Sequence, residues 1–339
     1  MSVSILGYHQ ILSSSFINHP VSQIENLKFV AGEILLDRDS LFFPNRSDEK
    51  IMRTDVVASI IAINSMFEKF GTPDSRDDFA LYVASGVFIE KIENHTKHLI
   101  KVYEELNEQS TAQETMQKVY RGSPPLLALQ TLTNSAMSFI SQYSGIKGNN
   151  ATFGTTSISG FYAFLEAYNS TFFDETHSVV CATNGGGTHS YLMNSPMYEN
   201  KEGWKESTAV GCLLLGKKDA DLKSLCEITA MKMTPFKSQL ENQKIKRTWA
   251  DLVSEPKAEL VIFSGAFTPA EQMNDLEYCK TYWPESFSLF DEFGNLGTAN
   301  SIASIITGIA LLDGRYSKID IVDRDIYGSE SWIRIEKNK

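Results

Sequence analysis

The sequence predicts an α/β protein made of two similar halves. Strand-like apolar runs alternate with apolar helical stretches, and a strand, a turn and an apolar helix recur in that order near residue 150 and between residues 259 and 312. Apolar residues make up 42% of the chain and charged residues 22%, which is typical of a globular protein with a sizeable core. Alternating strands and helices pack as layers. We therefore expect an N-terminal half over 1–218 and a C-terminal half over 219–339, joined in one compact domain.

The spacing of apolar residues predicts the elements of the first half. Residues 1–7 favour a first strand and lack the basic residue and apolar stretch of a signal peptide. Apolar residues at helical spacing predict a helix over 55–70, which we expect Thr54 to cap. Further predicted elements are a strand over 79–88, a helix over 96–107, a long helix begun by Ser123-Pro124-Pro125, and strands over 177–183 and 207–217.

The second half repeats the pattern with different lengths. Residues 219–248 form its least hydrophobic stretch, so we expect surface elements there. A strand is predicted over 260–263, an apolar helix over 298–312 and a final strand over 319–323. The longest apolar run, Ile302 to Leu312, is too short to cross a bilayer.

Charge and cysteine usage exclude several classes of function. The formal net charge is −11, whereas a nucleic-acid-binding protein needs clustered Lys and Arg. The four cysteines lack the spacing of a metal or redox site, and apolar flanks indicate that Cys181 and Cys212 are buried free thiols. We therefore expect a cytoplasmic protein with no metal, no cofactor, no nucleic-acid partner and no membrane anchor.

Residues 145–160 carry the most informative motif. They read Gly-Ile-Lys-Gly-Asn-Asn-Ala-Thr-Phe-Gly-Thr-Thr-Ser-Ile-Ser-Gly, a turn, a short strand and a tight start of an apolar helix. A helix N-terminus in such an elbow would lower the pKa of a cysteine. The segment resembles the active site of β-ketoacyl synthases of the thiolase superfamily, with Ser157 at the position of their cysteine. The resemblance implies the thiolase-like fold, two α/β halves in five αβαβα layers.

The other catalytic positions of that family are also changed. No histidine follows His189, although the family carries two catalytic histidines in the C-terminal part. The resemblance places Ser264 and Asn295 at those histidines and Phe290 at a lysine. The family's glycine-rich loop corresponds to residues 326–332, where one glycine remains beside Glu330 and Trp332, so we expect no mobile gate there.

Two of these residues have several interpretations. Ser157 could be a nucleophile, a helix cap or a polar remnant of a lost pocket, and we favour the cap. Asn295 could hold a water molecule or a thioester carbonyl, as an asparagine does in some ketosynthases. Capping of the helix over 298–312 is the simpler role for Asn295, and we favour it.

The resemblance is strongest to the chain length factor, the ketosynthase β-subunit of type II polyketide and fatty-acid-like synthases. That family implies a subunit without catalytic residues, which pairs with an active β-ketoacyl synthase as a heterodimer or heterotetramer and shapes the acyl tunnel. It meets the acyl carrier protein mainly through its partner. Two alternatives stay open. One is a serine-dependent acyltransferase or thioester hydrolase on the same fold, and the other is a homodimeric acyl-binding or structural protein.

The resemblance also implies interface residues. The strand over 151–155 should lie at a sheet edge and pair with the partner chain through Ala151, Thr152 and Phe153, so that proline at Phe153 would remove a ladder donor. The helix begun by Ser123-Pro124-Pro125 should run along the interface. Its candidates for facing the tunnel, as opposed to the core, are Leu126, Leu129 and Leu132.

Leu129 gives the first test, because the family carries a tunnel-gating side chain at its position. Leu129→Trp should shorten the product of the assembled complex, since the larger side chain removes tunnel volume, and Leu129→Ala should lengthen it. Product lengths are measured by mass spectrometry. A core leucine would instead cost about 2–5 kcal/mol of stability as alanine and leave product length unchanged. Unchanged lengths from assembled complexes of both variants would exclude the tunnel role.

Overall fold

A computed structural model describes most of the chain. The described residues are 2–14, 28–31, 48, 51–71, 75–86, 100–106, 110–122, 132–154, 156–174, 177–184, 208–217, 222–234, 249, 253, 257–263, 269–312, 314–325 and 328–338. Leu126, Leu129, Thr155 and Ser264 lie outside this part. The structural expectations for those four residues therefore stay predictions.

Eleven strands form one hydrogen-bonded sheet. They are β1 (Val3–Ser14), β2 (Lys28–Ala31), β3 (Ala80–Ser85), β4 (Asn150–Phe153), β5 (Ser178–Asn184), β6 (Ala209–Lys217), β7 (Cys226–Thr234), β8 (Leu260–Phe263), β9 (Glu285–Ser288), β10 (Lys318–Arg324) and β11 (Glu330–Lys337). The strands predicted at the start of the chain and over 79–88, 177–183, 207–217 and 260–263 are confirmed, with ends that differ by up to a few residues.

Seven α-helices with both ends described accompany the strands. They are α1 (Thr54–Phe70), α2 (Ala112–Gly122), α3 (Thr133–Ser144), α4 (Ser159–Phe173), α5 (Pro269–Tyr282), α6 (Leu289–Phe293) and α7 (Asn300–Leu312). A 3₁₀ turn, Gly297–Ala299, precedes α7, and residues 100–104 of the helix predicted over 96–107 are helical. None of the helices described here is long and apolar enough to cross a membrane.

The strand order has internal symmetry. It runs β4-β3-β5-β6-β1-β7-β11-β10-β8-β9, with β2 beside β1. From either end, the three outer strands are parallel to one another, and the next strand is antiparallel to them. The two sets meet where Val3–Ile5 of β1 pair with Cys226–Ile228 of β7. This order supports the two similar halves expected from the sequence, while their boundary at residue 218 stays a prediction.

Side chains that alternate along the strands divide the core into separate layers. Tyr82 and Ile262 point into a central core that contains α4 and α7. Their neighbour Leu81 points the other way, into a second core with α1 and α3. Val261 likewise packs in a third core with α5 and Trp249. The layers are therefore α, β, α, β, α, as the resemblance implies, and α4 and α7 form the middle layer.

Two expectations for the C-terminal part are wrong. Residues 219–248 were expected at the surface, but β7 lies inside the sheet between β1 and β11. Its sequence looks polar because Cys226 and Ile228 are the only buried residues of β7, and the other seven are half-buried or exposed. The strand over 319–323 is present as β10, but it is not the last one. β11 follows, and it contains Glu330 and Trp332, so these two residues belong to a buried strand and not to a loop.

The cap expected for α1 is also wrong. The N-cap residue is Arg53, and no side chain caps the helix. Arg53 is buried and makes two hydrogen bonds to the carboxylate of Asp55, at 2.9 and 2.8 Å. It also donates to the Ser85 hydroxyl at 2.8 Å. The N-cap residue at the start of α1 is therefore held by a buried ion pair.

β4 is a terminal strand of the sheet and pairs with β3 alone among the described strands. The Leu81 N–H donates to the Asn149 carbonyl at 2.8 Å, and the register sets Leu81 opposite Asn150. In a parallel ladder, the main-chain groups of alternate residues point to opposite sides of the strand. The N–H and C=O groups of Asn150 and Thr152 therefore point outward, along the open edge.

This register corrects the role assigned to the Phe153 N–H. The main-chain groups of Phe153 point to β3, because Phe153 and Thr152 alternate along the strand. Proline at Phe153 would break the bonding between β4 and β3 inside the chain. Thr152 is the residue whose N–H proline would remove from the outer edge.

The cysteines behave as the sequence indicates. Cys181 and Cys212 are free and buried, opposite each other on β5 and β6. Burial raises the pKa of Cys181 to about 12 and raises that of Cys212 well above its usual range. Cys226 and Cys279 are buried free thiols as well. Cys181 and Cys212 therefore stay protonated and poorly reactive in the native state.

A buried carboxylate organises the outer layer of the C-terminal strands. Asp320 of β10 accepts five hydrogen bonds, from the Ala258 N–H, the indole N–H groups of Trp283 and Trp332, and two nitrogens of Arg334, at 2.7 to 3.0 Å. A buried charge is tolerated when its lone pairs are satisfied in this way. Asp320 thus ties β10, β11 and the residues around α5 to one another.

The middle layer depends on a close approach between its two helical segments. A Cβ added to Gly160, in the first turn of α4, would lie 2.7 Å from the Thr298 carbonyl oxygen. It would also contact the side chains of Ser301 and Ile302 of α7. Only glycine allows this contact, because a Cβ atom at that distance would force the two segments apart.

Gly160→Ala tests this constraint. In an unhindered helix the change would stabilise the protein by up to about 1 kcal/mol, but here we expect a loss of about 1–3 kcal/mol from overpacking. Urea unfolding measures the difference. Gly314→Ala is the matched control, because a Cβ at that turn would meet no atom within 4 Å. Equal stabilities of wild type and Gly160→Ala would contradict the close approach.

Candidate functional site

The elbow between β4 and α4 places Ser157 inside the protein. Ser157 is 5% exposed, and its hydroxyl donates to the Arg324 carbonyl at 3.4 Å. The N-cap of α4 is Ile158, and no side chain caps this helix. Ser159 instead accepts from the Thr156 N–H at 3.0 Å, which closes the turn. The capping role favoured for Ser157 is therefore wrong, and its polar contact is with the end of β10.

A second segment covers the elbow. We call it the closing segment and define it as Asp323–Asp325 together with Gly328–Ser329, the described residues between the middle of β10 and the start of β11. The Thr156 hydroxyl donates to the Asp325 carboxylate at 3.1 Å. The other carboxylate oxygen accepts from the Ser329 N–H at 2.9 Å, and the Asp325 N–H donates to the Ser329 carbonyl at 3.0 Å.

Tyr162, one turn into α4, completes this contact. Burial and the nearby Asp325 carboxylate raise the pKa of Tyr162, while a hydrogen bond with Ser329 lowers it by less. The phenol therefore stays neutral at physiological pH. The elbow, through Thr156 and Ser157, and the first turn of α4, through Tyr162, thus both meet the closing segment.

The closing segment is anchored on its other side as well. Arg324 forms an ion pair with Asp275 of α5, at 3.2 Å, and both side chains are almost fully buried. The Ser301 hydroxyl of α7 donates to the Asp323 carboxylate, and the Trp249 indole N–H donates to the Asp323 carbonyl at 3.2 Å. The segment therefore links α4, α5 and α7, and the carboxylates of Asp323 and Asp325 both accept donors.

The Asn295 loop lies next to the elbow. The Asn295 side-chain oxygen accepts from the Gly297 N–H at 2.6 Å, which stabilises the 3₁₀ turn before α7. The Thr298 hydroxyl donates to the Thr183 carbonyl at 2.7 Å, at the end of β5. Asn295 therefore does not cap α7, which begins at Asn300. Its hydrogen bond closes the turn before the 3₁₀ turn, whose N-cap residue is Leu296.

The remaining sequence-predicted residues occupy different places. Phe290 is buried in α6, whose N-cap Ser288 accepts from the Asp291 N–H at 3.1 Å. Leu132 immediately precedes α3 and is 47% exposed, so it is not a core leucine. Ala151, Thr152 and Phe153 are half-buried on the edge strand.

Sequence reasoning missed the charged residues of this site. Asp275, Asp323, Arg324 and Asp325 had no assigned role, yet all four are buried. The sequence held one signal of their role, because three consecutive charged residues, Asp323 to Asp325, follow the apolar residues of β10. The partner of Arg324 had no such signal, since Asp275 lies in a helix with exposed polar neighbours. In the described part of the chain, no group of three or more His, Cys, Asp or Glu side chains is arranged to hold a metal ion.

Comparison with solved structures establishes the fold. A chain from a type II polyketide synthase acyl-carrier protein in complex with its ketosynthase, bound to the hexaketide, matches with a TM-score of 0.72 at 14% identity, over 99% of both chains. A chain of the ishigamide ketosynthase/chain length factor matches with a TM-score of 0.72 at 12% identity, over 100% of both. Ketosynthase twelve of the bacillaene synthase from Bacillus amyloliquefaciens matches with a TM-score of 0.67 at 12% identity, over 100% of this chain and 73% of that one.

Sequence comparison gives no further likeness. No family model matches the chain, and no curated protein matches it. At 12–14% identity, the structural likeness shows the fold alone. The chain has the ketosynthase form of the thiolase-like fold, which confirms the fold class that the elbow motif implied.

Proposed function

We propose that the chain is a non-catalytic, ketosynthase-like subunit that pairs with an active β-ketoacyl synthase and helps to shape its acyl tunnel, as a chain length factor does. One observation carries the proposal. The hydroxyl of Ser157, at the position of the family's nucleophile, is buried and donates to a main-chain carbonyl. A nucleophilic hydroxyl needs a base within hydrogen-bond reach, and a carbonyl oxygen does not take up its proton.

The residues at the base positions support the same function. An asparagine side chain neither gains nor loses a proton near neutral pH, and the Asn295 oxygen already accepts from the Gly297 N–H. Serine at position 264 cannot replace a histidine as a general base. Condensation therefore has neither nucleophile nor base in this chain, and a second chain must supply both.

The open edge and the helix beside it offer a surface for that second chain. Half-buried apolar side chains of β4 and α4 pack against the central core and reach the surface, namely Ala151, Phe153, Tyr162, Leu165, Tyr168 and Phe172. Phe173 at the end of α4 is 73% exposed. An uncovered edge strand with apolar neighbours promotes association. We propose that the partner ketosynthase pairs with β4 and covers this face, as a heterodimer or a heterotetramer.

The net charge of this chain affects where an acyl carrier protein can bind. An acyl carrier protein is acidic, and the net charge of this chain is −11, so the two chains repel each other on balance. We propose that the carrier protein binds mainly to the partner subunit.

Ser157→Ala tests catalytic silence. We expect the complex with the partner ketosynthase to form product within a few-fold of the wild-type rate, since no bond to substrate is lost. Product is measured by mass spectrometry with carrier protein and extender units supplied. Loss of the partner's own nucleophile is the control for an inactive complex. A fall of about a thousandfold, typical of removing a nucleophile, together with acylation of Ser157 in the wild-type chain, would favour the serine acyltransferase instead.

Thr152→Pro tests the edge pairing. The change removes an outward main-chain donor and should abolish assembly with the partner, as measured by size-exclusion chromatography with light scattering. Thr152→Val is the matched control, because it keeps the main-chain N–H and the shape of the side chain. It removes only the hydroxyl contact with the Met137 sulfur at 3.3 Å, and it should assemble normally. Normal assembly of Thr152→Pro would exclude pairing through this edge.

A further inference from the structure

We propose that the closing segment is a built-in seal that keeps acyl thioesters out of the elbow, so that restoring a cysteine at Ser157 would not restore a reactive site. The inference deepens the proposed function and rests on it only for the identity of the excluded ligand. The seal concerns access to the elbow, which the loss of the nucleophile alone does not change.

The first argument is the contact between the segment and the elbow. An acyl thioester must bring its carbonyl carbon to the atom at position 157. In this chain the Arg324 carbonyl lies 3.4 Å from the Ser157 hydroxyl oxygen, so main chain already occupies part of that space. The Thr156–Asp325 hydrogen bond holds the next residue of the segment against the same turn. Entry of a thioester therefore requires the segment to move.

The second argument is that movement breaks buried polar contacts. Displacement of the segment would separate Arg324 from Asp275 inside the protein. It would also remove the Ser301 donor from Asp323 and the Thr156 donor from Asp325. A buried charge that loses its partner is costly to leave unsatisfied, so the open state is rarely populated.

The third argument is the fixed conformation of the segment. The Gly328 N–H donates to the Asp325 carbonyl at 3.1 Å, with Gly328 in the left-handed region at φ 85°. Asp325 also exchanges hydrogen bonds with Ser329, and from Glu330 onward the chain continues as a buried strand. The segment is therefore held at both ends by the sheet, which distinguishes it from a flexible gate.

The native cysteines make the test direct. All four are buried free thiols, so iodoacetamide has no exposed native target and any label on a cysteine variant reports the new thiol. Iodoacetamide is neutral and smaller than an acyl thioester. Met116→Cys, at a position that is 70% exposed on α2, is the accessible control. Labelling of intact protein is followed by mass spectrometry at one pH.

We expect Ser157→Cys to label at least about 100-fold more slowly than Met116→Cys, because labelling requires local opening of the closing segment. Adding Asp325→Ala to Ser157→Cys should raise the labelling rate by about tenfold or more, because the segment loses its bonds to Thr156 and Ser329. Thr156→Val removes only the Thr156 donor and gives the same direction of change if Asp325→Ala does not fold. Circular dichroism and urea unfolding identify the folded variants.

Two outcomes would overturn the seal. One is labelling of Ser157→Cys within about threefold of the exposed control, which would show an open elbow. The other is a folded double variant, with Thr156→Val or Asp325→Ala added, that labels no faster than Ser157→Cys alone. Neither outcome affects the proposed function, which depends on product formation by Ser157→Ala with the partner. Conversely, slow labelling of Ser157→Cys in a chain that does not assemble with a ketosynthase would retain the seal and reject the proposed function.

Discussion

The contact between Gly160 and the Thr298 carbonyl sets the geometry of the whole middle layer. α4 and the turn before α7 approach so closely there that no Cβ fits between them. This contact places the elbow of one half beside the Asn295 loop of the other. The end of β10 lies beside this contact, bonded to Ser157 through Arg324 and to Ser301 of α7 through Asp323. The two halves therefore converge here through packing contacts.

The fold could be predicted largely because its signals are local. Helical spacing over 55–70 and strand-like runs such as Leu260–Phe263 correspond to observed elements. The failures are equally physical. β7 buries only Cys226 and Ile228, so its composition resembles that of a surface segment. β11 contains the buried residues Glu330 and Arg334. From sequence, charged residues are expected at the surface, and the buried partner of Arg334, Asp320, becomes known only from the structure.

The candidate site shows the same division. The sequence shows directly that the motif positions contain no cysteine and no histidine, because this depends only on which residue stands at each position. The contacts that surround these positions cannot be read from sequence. The ion pair of Arg324 with Asp275 joins residues from a strand and a distant helix, and their charges alone predict solvent exposure. The prediction that Ser157 caps α4 was wrong for a similar reason. The Ser157 hydroxyl bonds to the Arg324 carbonyl, which is distant in sequence, and not to the main chain of the helix.

The hydrogen bonds to Asp320 limit when the outer C-terminal layer can fold during synthesis. Its carboxylate receives two donors from Arg334 and one from Trp332, all from the last strand described. While β10 has left the ribosome and β11 has not, that charge lacks three of its five donors, and burying it in that condition is unfavourable. The outer C-terminal layer must therefore stay open until β11 has left the ribosome. A pause after β10 has emerged and before Arg334 has emerged would leave this outer layer exposed to chaperones.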